Sequence, residues 1–137
     1  MIRDIVSDRF LLNQKGKEAT RDDLDVVRDL LDTIKFHEDN CVGMAANMIG
    51  INKRIIVVKE KDDYLVMLNP EIIKFSKERY KTKEACLSLS EEKEVTRYQQ
   101  IKVKYLDINF KQKIKTYNGF IAQIIQHEID HCNGIVV

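Results

Sequence analysis

The sequence predicts an α+β fold, because strand patterns fill the middle of the 137-residue chain and helical patterns lie on both sides of them. A capping-box pattern, Thr20-x-x-Asp23, precedes apolar residues at helical spacing and predicts a helix over about residues 21–36. After Gly119, a second periodic segment predicts a closing helix. Because the strands precede this helix and do not alternate with helices, we expect antiparallel or mixed sheets packed around it.

Five segments have strand character, from their β-branched content or from alternation of apolar and polar residues. They are 54–59, 64–68, 71–75, 101–106 and 111–117. Asn69-Pro70 is interpreted as a break between two of them, and Asp107–Asn109 as a hairpin turn. The small, glycine-flanked segment Cys41–Gly50 is predicted to be a loop. In the closing helix, the expected buried side consists of Phe120, Ile121, Ile124, Ile125 and Ile129.

The composition indicates one globular domain over residues 1–137, with 44% apolar residues and a single proline. A net charge of +1, from 23 basic and 22 acidic residues, does not favour binding to nucleic acid or to an anionic membrane. No apolar run approaches the roughly 20 residues that span a bilayer, and the charged N-terminus lacks a signal-peptide core. We therefore expect a cytoplasmic protein whose cysteines, Cys41, Cys86 and Cys132, are free thiols or metal ligands.

The segment Gln126–His131 contains the His-Glu-x-x-His motif of metal-dependent hydrolases. Positions i and i+4 share one helix face, so His127 and His131 can bind one metal ion while Glu128 lies within reach of a water molecule. A catalytic metal site normally has three protein ligands and one open position. In the metzincin pattern of zinc proteases, the third ligand lies six residues after the second histidine. Here that position is Val137, the last residue of the sequence and not a metal ligand, so the third ligand is expected upstream.

Cysteine is the best candidate for that third ligand, because thiolate and imidazole both bind zinc and ferrous iron. Cys86 lies in the compact segment Glu84–Ser88, between strand-like regions. Cys132 is a weaker candidate because it projects about 100° away from its neighbour His131 around the helix. Cys41 could instead line a pocket beside the glycine-flanked segment. The alternative for any lone cysteine is a small buried hydrophobic residue.

Three segments together resemble the peptide deformylase family, which removes the formyl group from N-terminal methionine. Gly43–Gly50 resembles the family pattern G-x-A-A-x-Q, Glu84–Ser88 resembles E-G-C-L-S, and Gln126–His131 matches Q-H-E-x-D-H. The similarity runs through nearly the whole chain and includes Met67–Pro70 and Arg97–Asp107. The resemblance implies a compact deformylase-like α+β fold in which an extended peptide lies beside a strand.

The resemblance also implies roles for individual residues. Cys86, His127 and His131 would be the metal ligands, with Fe²⁺ as the native ion and Zn²⁺, Ni²⁺ or Co²⁺ as substitutes. Glu128 would accept a proton from water and pass it to the leaving amine, and the backbone N–H of Leu87 would stabilise the oxyanion.

An apolar pocket is implied for the methionine side chain of an N-formylmethionyl peptide. Its walls would be Val42 and Gly43 on one side, with Phe120 and Ile124 of the closing helix on the other. The glycine would let the substrate approach the backbone, since it has no Cβ. The alternative for the two helix residues is ordinary core packing.

Met48 stands where the family has the glutamine whose amide binds the oxyanion, and a thioether cannot donate a hydrogen bond. Losing one oxyanion donor typically costs about 10²–10³ in rate. Three alternatives follow: a deformylase with reduced or redirected activity, a related metalloprotein with another small amide or formyl substrate, and a metal-bearing peptide-binding protein with little catalysis. The retained Glu128 favours the first two.

Three further positions bear on the resemblance. Ala85 replaces a family glycine and would be strained if its backbone had a positive φ. Glu84 and Arg97 match family positions and are expected to form a brace beside the metal, the alternative being an ordinary surface ion pair. The sequence ends at Val137 without the basic helix by which many deformylases engage the ribosome, so ribosome docking is not expected on this basis.

Overall fold

The computed structural model describes residues 1–89 and 91–137 and has the expected α+β architecture. The helices are α1 (Arg9–Leu12), α2 (Leu24–Phe36) and α3 (Gly119–Cys132). The strands are β1 (Gly43–Ala45), β2 (Ile55–Glu60), β3 (Asp63–Phe75), β4 (Arg79–Ala85), β5 (Glu92–Tyr98), β6 (Gln100–Leu106) and β7 (Gln112–Asn118). None of the described helices is both long and apolar enough to cross a membrane.

Two antiparallel sheets surround α3, which confirms the predicted layout. The larger sheet has the strand order β1-β2-β3-β6-β7, and β4 and β5 form a separate hairpin. The inner face of the large sheet is apolar, and α3 packs against it with most of its residues buried. A helix buried on nearly every side can hold polar groups away from water, which is the condition for a desolvated site.

The predicted helix over 21–36 is confirmed, as a 3-10 turn at Arg21–Asp23 followed by α2. Thr20 caps its start: the backbone N–H of Asp22 donates to the Thr20 hydroxyl at 3.3 Å, and the Thr20 N–H donates to the Asp23 carboxylate at 2.7 Å. The apolar face of α2 is buried through Val27, Leu30 and Ile34. The cap satisfies N–H groups that the first turn cannot pair internally.

The prediction of a loop over Cys41–Gly50 is wrong for most of its length. Gly43 pairs opposite Val58 and Ala45 opposite Ile56, so β1 is an antiparallel strand, and Ala46–Ile49 forms a buried 3-10 turn. The segment is largely apolar and lies inside the molecule, with Met44 and Met48 fully buried. Its pairing depends on β2, which local sequence patterns do not reveal.

The strands predicted at 64–68 and 71–75 form one strand, β3, with a bulge between them. Asn69 has a φ of 52° at the point where the register with β6 shifts. Its side-chain oxygen accepts the N–H of Ala19 at 2.7 Å, and its amide donates back to the Ala19 carbonyl at 3.1 Å. The interpretation of Asn69-Pro70 as a break is therefore wrong, because the two residues bend the strand without ending it.

The predicted strands at 54–59, 101–106 and 111–117 are confirmed as β2, β6 and β7, with shifts of one residue at their ends. The turn at Asp107–Asn109 is also confirmed, because the Phe110 N–H donates to the Asp107 carbonyl at 2.9 Å. Sequence patterns did not predict the β4–β5 hairpin as strands. Its charged residues alternate with half-buried ones, and it lies outside the large sheet.

One expectation about an individual side chain is wrong, and the condition under which Ala85 would be strained is not met. Phe120 is 64% exposed and does not belong to the buried side of α3, although Ile124, Ile125 and Ile129 do. Ala85 ends β4 and is not among the described non-glycine residues with a positive φ, so replacing the family glycine there introduces no backbone strain.

Candidate metal centre and active site

Three buried side chains, two on α3 and one from the turn after β4, meet in the interior of the protein. One ligand atom from each of Cys86, His127 and His131 lies within 4.8 Å of the other two. The Cys86 Sγ is 3.3 Å from the Nε2 of His131, and the two imidazole rings have centroids 5.2 Å apart. One sulfur and two nitrogens at this separation form a donor set of the kind that binds zinc or ferrous iron.

Local structure explains how these atoms converge. His127 and His131 are four residues apart on α3 and therefore project from one face. Cys86 follows the last residue of β4, and its turn is closed by the Leu89 N–H donating to the Cys86 carbonyl at 3.2 Å. The Ser88 N–H donates to the Cys86 sulfur at 3.4 Å, which helps to fix the position of that sulfur.

A buried ionic network holds His127 in place. The Nδ1 of His127 lies 2.8 Å from Glu84 Oε1, and Arg97 contacts the same carboxylate at 2.6 Å. Arg97 also donates to Asp130 at 2.7 Å, so β4, β5 and α3 are connected at one point. Glu84 and Arg97 are both buried, so the pair is not the exposed ion pair that was the alternative. An imidazole anchored through one nitrogen presents the other to a metal.

The network sets the charge of the groups it contains. Burial opposes ionisation of Glu84, but its hydrogen bonds with His127 and Arg97 outweigh burial and lower its pKa to about 2. Burial likewise opposes the charged form of His127, yet hydrogen bonds with Cys86 and Glu84 raise its pKa to about 10. A cation that binds the ring nitrogen facing Cys86 must therefore displace a proton, as metals generally do at such ligands.

His131 differs from His127 because it is completely buried and its ring is not hydrogen-bonded to a carboxylate in the described part of the chain. Its Nδ1 has no hydrogen-bond partner in the described part of the chain. Burial, together with the charge of His127, lowers its pKa to about 3, so the ring is neutral near pH 7. Neutral imidazole is the form that binds metals, and the residues present therefore fit a metal ion.

Glu128 lies beside the cluster, and its carboxyl group is almost completely shielded from solvent. Its residue exposure is 3%, and its Oε1 finds no partner among residues 1–89 and 91–137. Burial raises its pKa to about 7, which is the range in which a carboxyl group can both accept and return a proton near neutral pH. A cation next to it would favour the ionised form.

Gly43 makes room for this carboxylate. A Cβ on Gly43 would lie 2.6 Å from the Ile124 Cγ2 and 2.8 Å from Glu128 Oε2, closer than real side-chain contacts. The expectation was that this glycine admits substrate to the backbone. The structure shows a separate reason for a glycine at this position, because β1 and α3 pack too closely there for any side chain.

A cleft of about 230 Å³ opens beside the cluster. The residues expected for substrate binding all line it, as do Leu87, Met48, Cys86, His127 and Glu128, while His131 is completely buried. The substrate-binding set is Val42, Gly43, Phe120 and Ile124. Phe120 and Val42 are exposed at the cleft and Ile124 is buried, so core packing, the alternative for the two helix residues, applies to Ile124 alone.

Met48 cannot donate a hydrogen bond, so the contacts of Asn47 and Gln126 show whether either amide could supply the oxyanion donor in place of the family glutamine. The Met48 sulfur accepts the Ala45 N–H at 3.4 Å and the residue lines the cleft. The Asn47 amide points away and donates to the His131 carbonyl at 3.0 Å. Gln126 is occupied by the backbone of Tyr98, with its oxygen accepting and its amide donating at 2.9 Å.

Of the polar residues at the far side of the cleft, only Gln123 had been considered from the sequence, as a possible replacement for the oxyanion glutamine. Gln123 and Lys83 line it, and the Tyr80 hydroxyl donates to the Gln123 side-chain oxygen at 2.9 Å. A signal was present for Gln123, since it precedes His127 by one helical turn. No comparable signal identified Tyr80, whose strand was not predicted.

An α+β fold that brings a thiol and two imidazoles together beside a dry glutamate defines the class of mononuclear metal-dependent hydrolases. The model of one family within that class, described as polypeptide deformylase, matches residues 4–137, and the chain belongs to this family.

Relatives and solved structures agree with this assignment. A peptide deformylase of Clostridium beijerinckii is 49% identical over 137 residues, with all of both chains covered. A peptide deformylase of Brachyspira hyodysenteriae is 39% identical over 148 residues, covering 98% of this chain and 78% of the relative. The Met-Ala-Ser-bound class I type b peptide deformylase from Acinetobacter baumannii has a TM-score of 0.90 at 30% identity, covering 99% of this chain and 97% of the other.

Proposed function

We propose that this protein is a peptide deformylase that hydrolyses the formyl amide of N-formylmethionyl peptides. The observation that carries the proposal is the buried cluster of Cys86, His127 and His131 beside the dry carboxyl group of Glu128. Support also comes from 49% identity, over the full length of both chains, to a protein named peptide deformylase. A structurally similar peptide deformylase was solved with Met-Ala-Ser bound.

Cys86, His127 and His131 would hold one metal ion. Their donor set suits Fe²⁺, which we propose as the native ion, with Zn²⁺, Ni²⁺ or Co²⁺ as substitutes. The ion would supply Lewis-acid polarisation of the formyl carbonyl and would make water a better nucleophile at neutral pH. Glu84 and Arg97 would keep the His127 ring oriented toward that ion.

Glu128 carries the proton chemistry in this proposal. Its carboxylate would accept a proton from the attacking water and would return it to the nitrogen of the leaving methionine. The dry surroundings leave Oε1 without a competing donor among the described residues. Gly43 keeps that carboxylate in position, because any side chain there would displace it.

The cleft would accept the methionine side chain between Val42, Phe120 and Ile124. The backbone N–H of Leu87, in the turn after Cys86, would donate to the oxyanion. Met48 cannot add a second donor, because its sulfur only accepts. Comparison with relatives does not favour the weakly active or non-catalytic alternatives, since the full-length relative at 49% identity is named a deformylase.

Several further assignments remain predictions. We propose that the chain is one catalytic domain over residues 1–137, which the family match over 4–137 supports. We also propose a cytoplasmic location, because three buried cysteines are all free thiols and such thiols persist in reducing compartments. Binding to nucleic acid or to membranes is not expected from the balanced charge.

Anaerobic purification, metal analysis and a formate-release assay on formyl-Met-Ala-Ser test the proposal. The parent should hold about one metal ion per chain and release formate. Glu128→Ala should keep the metal and lose about 10²-fold or more in kcat, the scale of positioned acid–base catalysis. Cys86→Ala should lose the metal, whereas Glu60→Ala, at an exposed residue of β2, should match the parent. A metal-loaded parent that releases no formate refutes the proposal.

A further inference from the structure

We propose that Gln123, held in place by Tyr80, is a specificity-determining residue that donates a hydrogen bond to the first side chain of the substrate. The inference rests on the proposed deformylase function, because it concerns the side chain next to the formyl group. It gives a role to the polar end of the cleft, which Gln123 lines, whereas the apolar walls already account for the binding of a methionine side chain.

The Tyr80–Gln123 contact joins two elements across the rim of the cleft. Tyr80 is a half-buried residue of β4, and Gln123 is a half-buried residue of the first turns of α3. The tyrosine hydroxyl donates to the glutamine side-chain oxygen at 2.9 Å. With its oxygen engaged, the Gln123 amide keeps both N–H donors free of any partner in the described part of the chain.

Helical spacing directs those donors into the cleft. Gln123 lies one turn before His127 and next to Ile124, and all three line the same cavity. Besides the metal cluster, the two glutamates and Cys41, the other polar side chains that line it are Asn40 and Lys83, and both are exposed. Among these three, Gln123 is anchored to a second element through its side chain, so its donors have a defined position.

The chemistry of the first side chain decides how much that donor contributes. Methionine offers a thioether sulfur, which is a weak acceptor, and methionine sulfoxide offers a strong one. Norleucine has nearly the same shape and no acceptor, so it leaves the amide unpaired. A neutral hydrogen bond contributes about 0.5–1.5 kcal/mol net, which corresponds to about 2–10-fold in kcat/KM.

The test measures kcat/KM for formate release from three peptides that differ only in the first residue: formyl-Met-Ala-Ser, its sulfoxide and its norleucine analogue. We expect the sulfoxide-to-norleucine ratio to be about 2–10-fold higher in the parent than in Gln123→Leu. Gln123→Glu keeps the shape but offers no donor, so its ratio should fall as well. Tyr80→Phe frees the amide and should lower the ratio part of the way.

Gln112→Leu is the matched control, since Gln112 is an exposed residue of β7 that does not line the cleft, and its ratio should equal that of the parent. A readout that needs no turnover is the side-chain amide resonance of Gln123 by NMR. It should shift when the deformylated sulfoxide peptide is added, and shift less with the norleucine peptide.

Two failures are distinguishable. If the metal-loaded parent releases no formate from the methionine peptide, the proposed function fails. If formate is released but the ratio is the same in the parent, Gln123→Leu and Gln123→Glu, the role of Gln123 is refuted while the deformylase function stands. An amide resonance that responds equally to the sulfoxide and norleucine peptides would also overturn it.

Discussion

Replacing Gly43 with alanine should disable the site by crowding, because β1 and α3 leave no space for a Cβ. The new carbon would lie 2.6 Å from the Ile124 Cγ2 and 2.8 Å from Glu128 Oε2. Two carbons are at optimal distance at about 3.5–4.0 Å, so the strand and helix must separate by about 1 Å. Ile124 cannot rotate away easily, because β-branched side chains have essentially one rotamer in a helix.

The magnitude follows from that displacement. Overpacking of this kind costs about 1–3 kcal/mol of unfolding free energy. At about 4 °C for each kcal/mol in a chain of this size, the melting temperature should fall by about 4–12 °C. A shift of about 1 Å in a catalytic group can cost about 10²-fold in rate, so kcat for formate release should fall by that order in the folded, metal-loaded protein.

Gly50→Ala provides the control. Gly50 has a φ of +83°, and a Cβ there would be no closer than 3.5 Å to its nearest neighbour, Val6. Backbone strain should therefore lower its stability by about 1–2 kcal/mol without crowding the site. Its kcat should match that of the parent. A Gly43→Ala protein with the melting temperature and kcat of the parent would refute the reasoning.

Three further predictions concern the ion pair, the metal and the missing amide. Arg97→Ala leaves Glu84 charged and buried without its partner, so the unfolding free energy measured in urea should fall by about 3–5 kcal/mol. Arg28→Ala removes one partner of an exposed pair and should lower it by about 0–1 kcal/mol. Equal losses in the two variants would contradict the argument from the buried charge. Removing the metal with a chelator should lower the melting temperature of the parent and leave that of Cys86→Ala unchanged. When the free metal concentration is 100 times the Kd, bound metal should stabilise the folded parent by about 2.7 kcal/mol. Met48→Gln should raise kcat by up to about 10²–10³, and an unchanged kcat would mean that another group already supplies the donor.

Much of the chemistry was readable from local spacing. The four-residue interval between His127 and His131 places both rings on one helix face whatever the rest of the fold does. The Thr20 cap likewise marked the start of the helical segment, and the structure has it at the 3-10 turn that leads into α2. The third member of the cluster was chosen with the help of the family resemblance, because nothing local connects Cys86 to two histidines that lie 41 and 45 residues further along the chain.

Other features depend on partners that are distant in sequence. β1 was predicted to be a loop because its residues are small, and it is a strand because β2 lies beside it. Phe120 was predicted to be buried from its place in the helical pattern, yet it lies exposed at the cleft. Periodicity identifies apolar positions, but it cannot show which of them the surrounding sheets leave uncovered.

The sequence by itself determined the helical ligand pair, the adjacent proton carrier and the family, since these depend on the residues within single segments. Only the tertiary structure decided that Gly43 must lack a side chain, that Asn47 and Gln126 are turned away from the cleft, and that Gln123 faces it. Those outcomes depend on how closely separate elements pack, and packing is decided by the whole chain at once.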